Sequence, residues 1–325
     1  MTNEFHTFAA MEKISSKLVL ALKGMAMGIA EIIPGVSGGT IALITGIYEN
    51  LIEAIKSILG PEVWVTLKNE GLKSAWQRAQ GEFLVFLLFG MAIGVIGGAF
   101  FIDFLLEEYP ILLWAFFFGL IIASAIYVAR QVNKWNVANV IALILGIVVA
   151  YLITVLSPAQ GSSSLVAVFF AGAIAISALI LPGISGSFIL LLMGMYTLII
   201  PSIKSALKNQ DSESLIILVV FALGCLLGLA TFSRVLSWLF KRFKDITMAV
   251  LAGFMIGSLN KIWPWRNVIS TRINSSGEEV PFIEKSVFPG AYEGDEKQVV
   301  LAIVMMIVGF VLVFALERLG KKGEG

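Results

Sequence analysis

Ten apolar stretches, near residues 18–33, 39–55, 83–104, 111–130, 137–157, 164–181, 187–203, 214–233, 246–260 and 298–316, occupy most of this 325-residue chain. A helix crosses the hydrocarbon of a bilayer in about 20 residues, and most of these stretches approach that length. So much apolar surface cannot be folded away from water: 58% of the residues are hydrophobic and 14% charged, against roughly one half and one quarter in soluble domains. Lipid is therefore the solvent, and the expected fold is an all-α polytopic membrane protein.

Four of the stretches are short and come in pairs. Residues 18–33 meet 39–55, and 164–181 meet 187–203, through Pro-Gly-Ser-Gly turns instead of polar loops. Each pair reads as a broken or re-entrant helical hairpin, a form that irregular backbone takes where it lines a cavity inside the membrane.

The two pairs are also copies. IPGVSGGTIALITGIY at 33–48 matches LPGISGSFILLLMGMY at 181–196 at an offset of 148, keeping Pro, Gly, Ser, Gly, a later Gly and a closing Tyr in register. Gly90, Gly94, Gly119 and Ser124 then align with Gly224, Gly228, Gly253 and Ser258 at an offset of 134, the long 56–82 loop having no counterpart. The expected organisation is an N-terminal repeat, 1–157, with hairpin 18–55 and spans 83–104, 111–130 and 137–157. A C-terminal repeat, 158–325, has hairpin 164–203 and spans 214–233, 246–260 and 298–316. Three spans are an odd number, so the second repeat enters the membrane inverted, as in secondary transporters that bind substrate near the midplane. The glycines four apart, Gly90 with Gly94 and Gly224 with Gly228, have a plainer reading as small residues that let helices pack closely.

The turns carry the chemistry. Pro34 and Pro182 end one helical segment, Gly35 and Gly183 permit unusual backbone angles, and Ser37 or Ser185 opens the next half-helix, whose first N–H groups lack intrahelical partners. Gly35, Ser37, Gly38, Gly39 and Thr40 of the first turn, with Gly183, Ser185, Gly186 and Ser187 of the second, form a candidate phosphate site at two positive dipole ends. The bland reading is a pair of kinks capped by their own serines. Glu31, inside an apolar stretch, is a candidate for coupling to a proton or sodium ion or for orienting the turn by accepting its N–H groups; its counterpart is Leu179. Lys23, two turns earlier, is placed to pair with Glu31, to meet the anion or to snorkel. Arg234 is a further phosphate candidate, or an ordinary cytoplasmic anchor. Tyr48, Tyr196, Trp114, Trp238, Trp263 and Trp265 read as interfacial belt residues.

Charge and rare residues exclude other classes. Net charge is +1, with no basic face for a nucleic acid. The single histidine, His6, lies in the polar N-terminal segment and no carboxylate cluster occurs within the spans, so no metal site, cofactor or lipid-phosphatase chemistry is expected and the chain reads as a non-enzyme. Cys225 reads as a small packing residue, and the N-terminus shows no cleavable signal. Basic residues concentrate in loops 56–82, 130–136 and 234–245 and in the tail, which places both termini in the cytoplasm. Loop 261–297 is long and carries no motif. An inorganic-anion channel or exchanger would use the same helix ends and is the alternative.

GMAMGIAEIIPGVSGGTIALITGIYENLIEAI at 24–55 and LPGISGSFILLLMGMY at 181–196 resemble the DUF368 family of bacterial membrane proteins. The similarity extends over nearly the whole chain; Ser187 stands where the first turn has Gly39. The resemblance implies a flippase in the bacterial inner membrane that returns undecaprenyl phosphate from the outer to the cytoplasmic leaflet for cell-envelope synthesis. Its partners are then that lipid and the surrounding phospholipids, with a homodimer left open.

Overall fold

The computed structural model describes residues 2–33, 35–159, 161–209, 211–273, 279–294 and 296–322. The first broken hairpin comprises α1 (Thr2–Ile32), α2 (Gly38–Ile44) and α3 (Tyr48–Ile58), followed by α4 (Pro61–Glu70) and α5 (Leu72–Arg78). Long helices α6 (Gly81–Glu108), α7 (Pro110–Ala129) and α8 (Val137–Val155) complete the first half. The second half has α9 (Leu165–Ile180), α10 (Gly186–Leu192), α11 (Tyr196–Asn209), α12 (Ser212–Arg242), α13 (Lys244–Ser258) and α14 (Val299–Lys322). Strands β1 (Arg266–Ile273) and β2 (Glu279–Ser286) pair antiparallel between α13 and α14.

This is an all-α polytopic membrane protein with one small sheet among the described residues. Among the described residues five helices, α6, α7, α8, α12 and α14, are long and apolar enough to cross a membrane, and the bent pair α10–α11 passes the same test only when taken together. Apolar side chains such as Phe100, Val137 and Val300 lie on their exposed faces, where a water-soluble fold would place polar residues. The core lies instead around α7, α13 and the first break, with Ile33, Val36, Ala42, Ile121, Met248, Leu251 and Met255 essentially inaccessible.

The element order α1–α3 then α6–α8 recurs as α9–α11 then α12–α14. Equivalent pairs also recur in space: α1 lies along α6 as α9 lies along α12, while α7 packs on α14 and α8 on α13, each crossing between halves. Bare glycine surfaces make the first two seams close, since a Cβ on Gly90 or Gly94 would strike backbone of α1, and one on Gly224 or Gly228 backbone of α9. The packing reading of these four glycines is the one the structure supports.

Three expectations need correction. The apolar stretches 39–55 and 187–203 are not single helices: each turns sharply at a glycine with positive φ, Gly46 at +75° and Gly194 at +68°, and α10 meets α11 at 112°. The 56–82 loop is mostly helical, because Pro61 starts α4 at its first turn and Gly71, at φ +84°, separates it from α5. The described residues of loop 261–297 hold the paired strands β1 and β2, anchored by Trp263 Nε1 donating to Val287 O at 2.7 Å and Trp265 Nε1 to Lys297 O at 2.8 Å.

Candidate functional site

The first break is closed by its own side chains. Gly35, at φ +87°, turns the chain into Val36 and Ser37, and Ser37 takes the extended conformation of an N-cap, its Oγ accepting from Gly39 N at 3.1 Å. Glu31, on the last turn of α1, reaches over the break and accepts from Gly38 N at 2.7 Å. Thr40 N donates back to Ser37 O at 3.0 Å. The first three amides of α2 therefore already have acceptors, one of them a carboxylate that complements the helix dipole. This corrects the expectation of free donors at Gly38, Gly39 and Thr40. Pro34 lies outside the described residues.

The second break is built differently although its sequence matches. Pro182 follows the last residues of α9, Gly183 has φ +81°, and Ser185 precedes α10 without a side-chain cap; its Oγ instead meets Ser187 Oγ at 2.9 Å. Leu179 stands where the first half has Glu31, so no carboxylate covers this end. Ser187 is exposed, whereas Gly39, its counterpart, is buried against Ile180.

The two breaks cross each other. Gly183 N donates to Thr40 Oγ1 at 3.1 Å; Ser37 Oγ lies 3.2 and 3.1 Å from the carbonyls of Leu179 and Leu181; Tyr48 OH donates to Ile180 O at 3.1 Å. The gap beside them, bordered by Gly35, Gly183, Ser185, Ser258 and Lys261, is only about 10 Å³, room for roughly one water molecule.

Beyond that gap opens a larger cleft of about 460 Å³ between the end of α8, the start of α10 and the β-hairpin. Tyr151, Val155, Leu191 and Leu192 form an apolar wall, and Lys261, Arg266 and Glu284 a charged one. Lys261 belongs to both spaces: its stem packs on Gly35 and its ammonium lies 4.7 Å from the Phe188 ring centre. Arg266 is buried, 4.4 Å from the Trp114 ring centre, and donates from Nη1 to Lys261 O at 3.1 Å and Glu284 Oε2 at 2.8 Å. Desolvation, then the Arg266 charge, pull the Lys261 ammonium below the ordinary lysine range, with Glu284 opposing.

Lys261, Arg266 and Glu284 were not among the residues the sequence singles out. Arg266 and Glu284 lie 18 positions apart in a polar segment, and only strand pairing joins them. Residues 279–286, EVPFIEKS, show no period-two alternation that would mark a strand, so the sequence carried little signal of the pairing.

Other predicted residues lie elsewhere. Lys23 Nζ donates to Thr45 O at 2.7 Å, at the C-terminal end of α2, where a cation complements the dipole. The Arg234 guanidinium donates to Ala230 O and, at 3.0 Å, to Leu59 O after α3; carbonyls rather than the turns occupy it. Tyr48 is buried with its ring edge-on to Phe240, and Trp114 and Trp265 are buried beneath the hairpin, so these three are core and not belt residues. Trp238 is exposed. Cys225 lies half-buried, 3.5 Å from Gly172 O across the α9–α12 seam.

Comparison with known proteins follows the same lines. A family described as undecaprenyl phosphate translocase-like matches residues 27–280, spanning both breaks and most of the hairpin. A polyprenyl-phosphate transporter of Vibrio cholerae serotype O1 is 43% identical over 313 residues, 95% of this chain and 99% of the relative. A polyprenyl-phosphate transporter of Staphylococcus aureus is 31% identical over 262 residues, 76% of this chain and 87% of the relative. No solved structure matches the chain.

Proposed function

We propose, from the premise that this chain belongs to the undecaprenyl phosphate translocase-like family, that it moves a polyprenyl monophosphate, in particular undecaprenyl phosphate, between the leaflets of the bacterial inner membrane. The direction is from outer to cytoplasmic leaflet, returning the carrier for cell-envelope synthesis, with both termini cytoplasmic. The two halves act as inverted repeats that rock about the crossed breaks.

The observation that carries this reading is the crossing of Thr40 on Gly183, beside the small gap that adjoins the cleft at Phe188 and Lys261. One wall of that cleft suits an isoprenoid chain and the other a phosphate. The gap at the crossing is too small for a phosphate in this conformation, so passage requires the halves to separate there. The second turn, with the hydroxyls of Ser185 and Ser187 and no internal carboxylate, is the half of the predicted site that would take the phosphate. The first turn would take it only when Glu31 lets go of Gly38, and this makes Glu31 the group through which a proton or sodium ion would be coupled. Carriage of a lipid headgroup needs no covalent step, in keeping with a transporter and not an enzyme.

Wild-type protein in liposomes is expected to speed the loss of undecaprenyl phosphate from one leaflet, and Ser185→Ala to slow it. Flux equal to that of protein-free liposomes would reject the function.

A further inference from the structure

The position of Glu284 suggests more than an ion pair. Its Oε2 sits 2.8 Å from Arg266 Nη1 and 3.9 Å from Lys261 Nζ, so one carboxylate oxygen lies between two cations on the wall of the cleft. The Arg266 side chain is more than nine-tenths buried, and its Nε is buried without a hydrogen-bond partner. A buried guanidinium normally uses its planar fork on a matching pair of oxygens, and leaving a buried donor unmet is costly. Glu284 satisfies this group only in part.

We infer that Lys261 and Arg266 form a seat for a phosphate monoester and that Glu284 is a resident anion which the phosphate displaces. The inference rests on the transport reading and gives its outer cleft a specific headgroup site, distinct from the glycine turns.

Charge favours the exchange. With Glu284 in place the two cations and one carboxylate leave a single positive charge, whereas with Glu284 withdrawn two cations face a phosphate monoester of about −1.5 to −2. A tetrahedral phosphate also offers three oxygens, enough to reach the Lys261 ammonium and the unmet Arg266 Nε together. Arg266 is fixed for the purpose by Trp114 and by the Lys261 carbonyl. Glu284 sits on the strand that can yield, because the β1–β2 register shifts between Val268 and Thr271, opposite Glu284 and Ile283. Such irregularities relax strand pairing and re-aim side chains. From this seat the Lys261 stem leads directly to Gly35 and the crossing.

The test is calorimetric titration of the full-length protein in detergent with farnesyl phosphate, inorganic phosphate and farnesol. Glu284→Gln removes the competing charge and is expected to bind farnesyl phosphate about tenfold tighter, while Lys261→Gln and Arg266→Gln bind it about tenfold or more weaker, the scale of one charged hydrogen bond. A gain in affinity cannot arise from misfolding, so Glu284→Gln answers even if Arg266→Gln folds poorly. Farnesyl phosphate bound tighter than inorganic phosphate supports the seat as a lipid headgroup site; equal binding supports the same seat filled from free phosphate. Equal farnesyl phosphate affinity in wild type, Glu284→Gln and Lys261→Gln, or no binding at all, would overturn the seat. Neither result touches the transport reading, which stands or falls on lipid flux in liposomes.

Discussion

Glu31 and Gly38 are joined across the first break by a 2.7 Å hydrogen bond from amide to carboxylate. The contact makes the acidic residue in the apolar stretch part of the backbone's own accounting, because an amide left unmet in hydrocarbon costs several kcal/mol. Glu31→Gln keeps an oxygen acceptor and removes the charge; Glu31→Ala removes both. The alanine variant should lose about 1–3 kcal/mol of stability, with the glutamine variant in between. If Glu31 couples transport to a cation, the glutamine variant should also lose the dependence of flux on that cation's gradient. Thermal unfolding in detergent and gradient-driven flux measure the two effects separately.

Thr40 holds the crossing of the halves, accepting from Gly183 N while fully buried. Thr40→Val keeps the shape and leaves that amide without its acceptor, so stability should fall by about 1–3 kcal/mol. If the crossing must open during the cycle, weakening it shifts the population of open states, and the variant should exchange the Gly183 amide faster than wild type. Hydrogen exchange of the 181–186 segment reads this directly; unchanged protection would argue against a shared hinge.

Arg234 supports a negative prediction. Its guanidinium binds the carbonyls of Ala230 and Leu59, tying the end of α3 to α12. Arg234→Gln should cost about 1 kcal/mol or somewhat more in stability and leave the dissociation constant for farnesyl phosphate unchanged. A matching loss of phosphate affinity would return Arg234 to the binding site.

Lys261 gives a pH dependence with a definite sign. Burial first and Arg266 second lower its affinity for a proton, while Arg266 stays charged throughout the accessible range. Binding of a phosphate needs the ammonium form, so affinity should fall as pH rises through the depressed value, before an ordinary lysine would titrate. Glu284 is the other charged group that faces the ammonium, at 3.9 Å. Lys261→Gln should bind weakly and show no decline in this window.

What the sequence revealed divides along physical lines. The long spans and the Pro-Gly breaks were legible because the membrane imposes length on one and Pro with Gly imposes the other, whereas the second bends at Gly46 and Gly194 were not; Ser37, Ser185 and Glu31 were singled out on that basis. Whether a helix end is open or closed was not legible, since it depends on which acceptor folds over it. Two turns with one motif differ because Glu31 reaches Gly38 in one and Leu179 has nothing to offer in the other. Tyr48 read as interfacial, yet its partner, Ile180 O, lies 132 positions away. The charged cleft was hidden for the same reason, in a segment whose pairing is set by tertiary structure and not by bilayer thickness.

Gly39 and Gly97 give the sharpest contrast among the glycines. A Cβ on Gly39 would strike the Ile180 carbonyl, where α9 ends against α2, and the backbone there is itself held by Ser37 and Tyr48. The obstacle is main chain and cannot rotate away, so Gly39→Ala should cost about 1–3 kcal/mol or more and push the two breaks apart. Gly97 lies on an open face of α6, where an added methyl would meet nothing within 4 Å, and alanine there should be neutral or stabilising by up to about 1 kcal/mol. Ser187 stands at the position equivalent to Gly39 and already carries a side chain, which its exposure accommodates. Exchanging the two, Gly39→Ser with Ser187→Gly, should therefore fail at the first site and be tolerated at the second. Comparable melting temperatures for the two single variants would show that the breaks are less asymmetric than Glu31 and Leu179 make them.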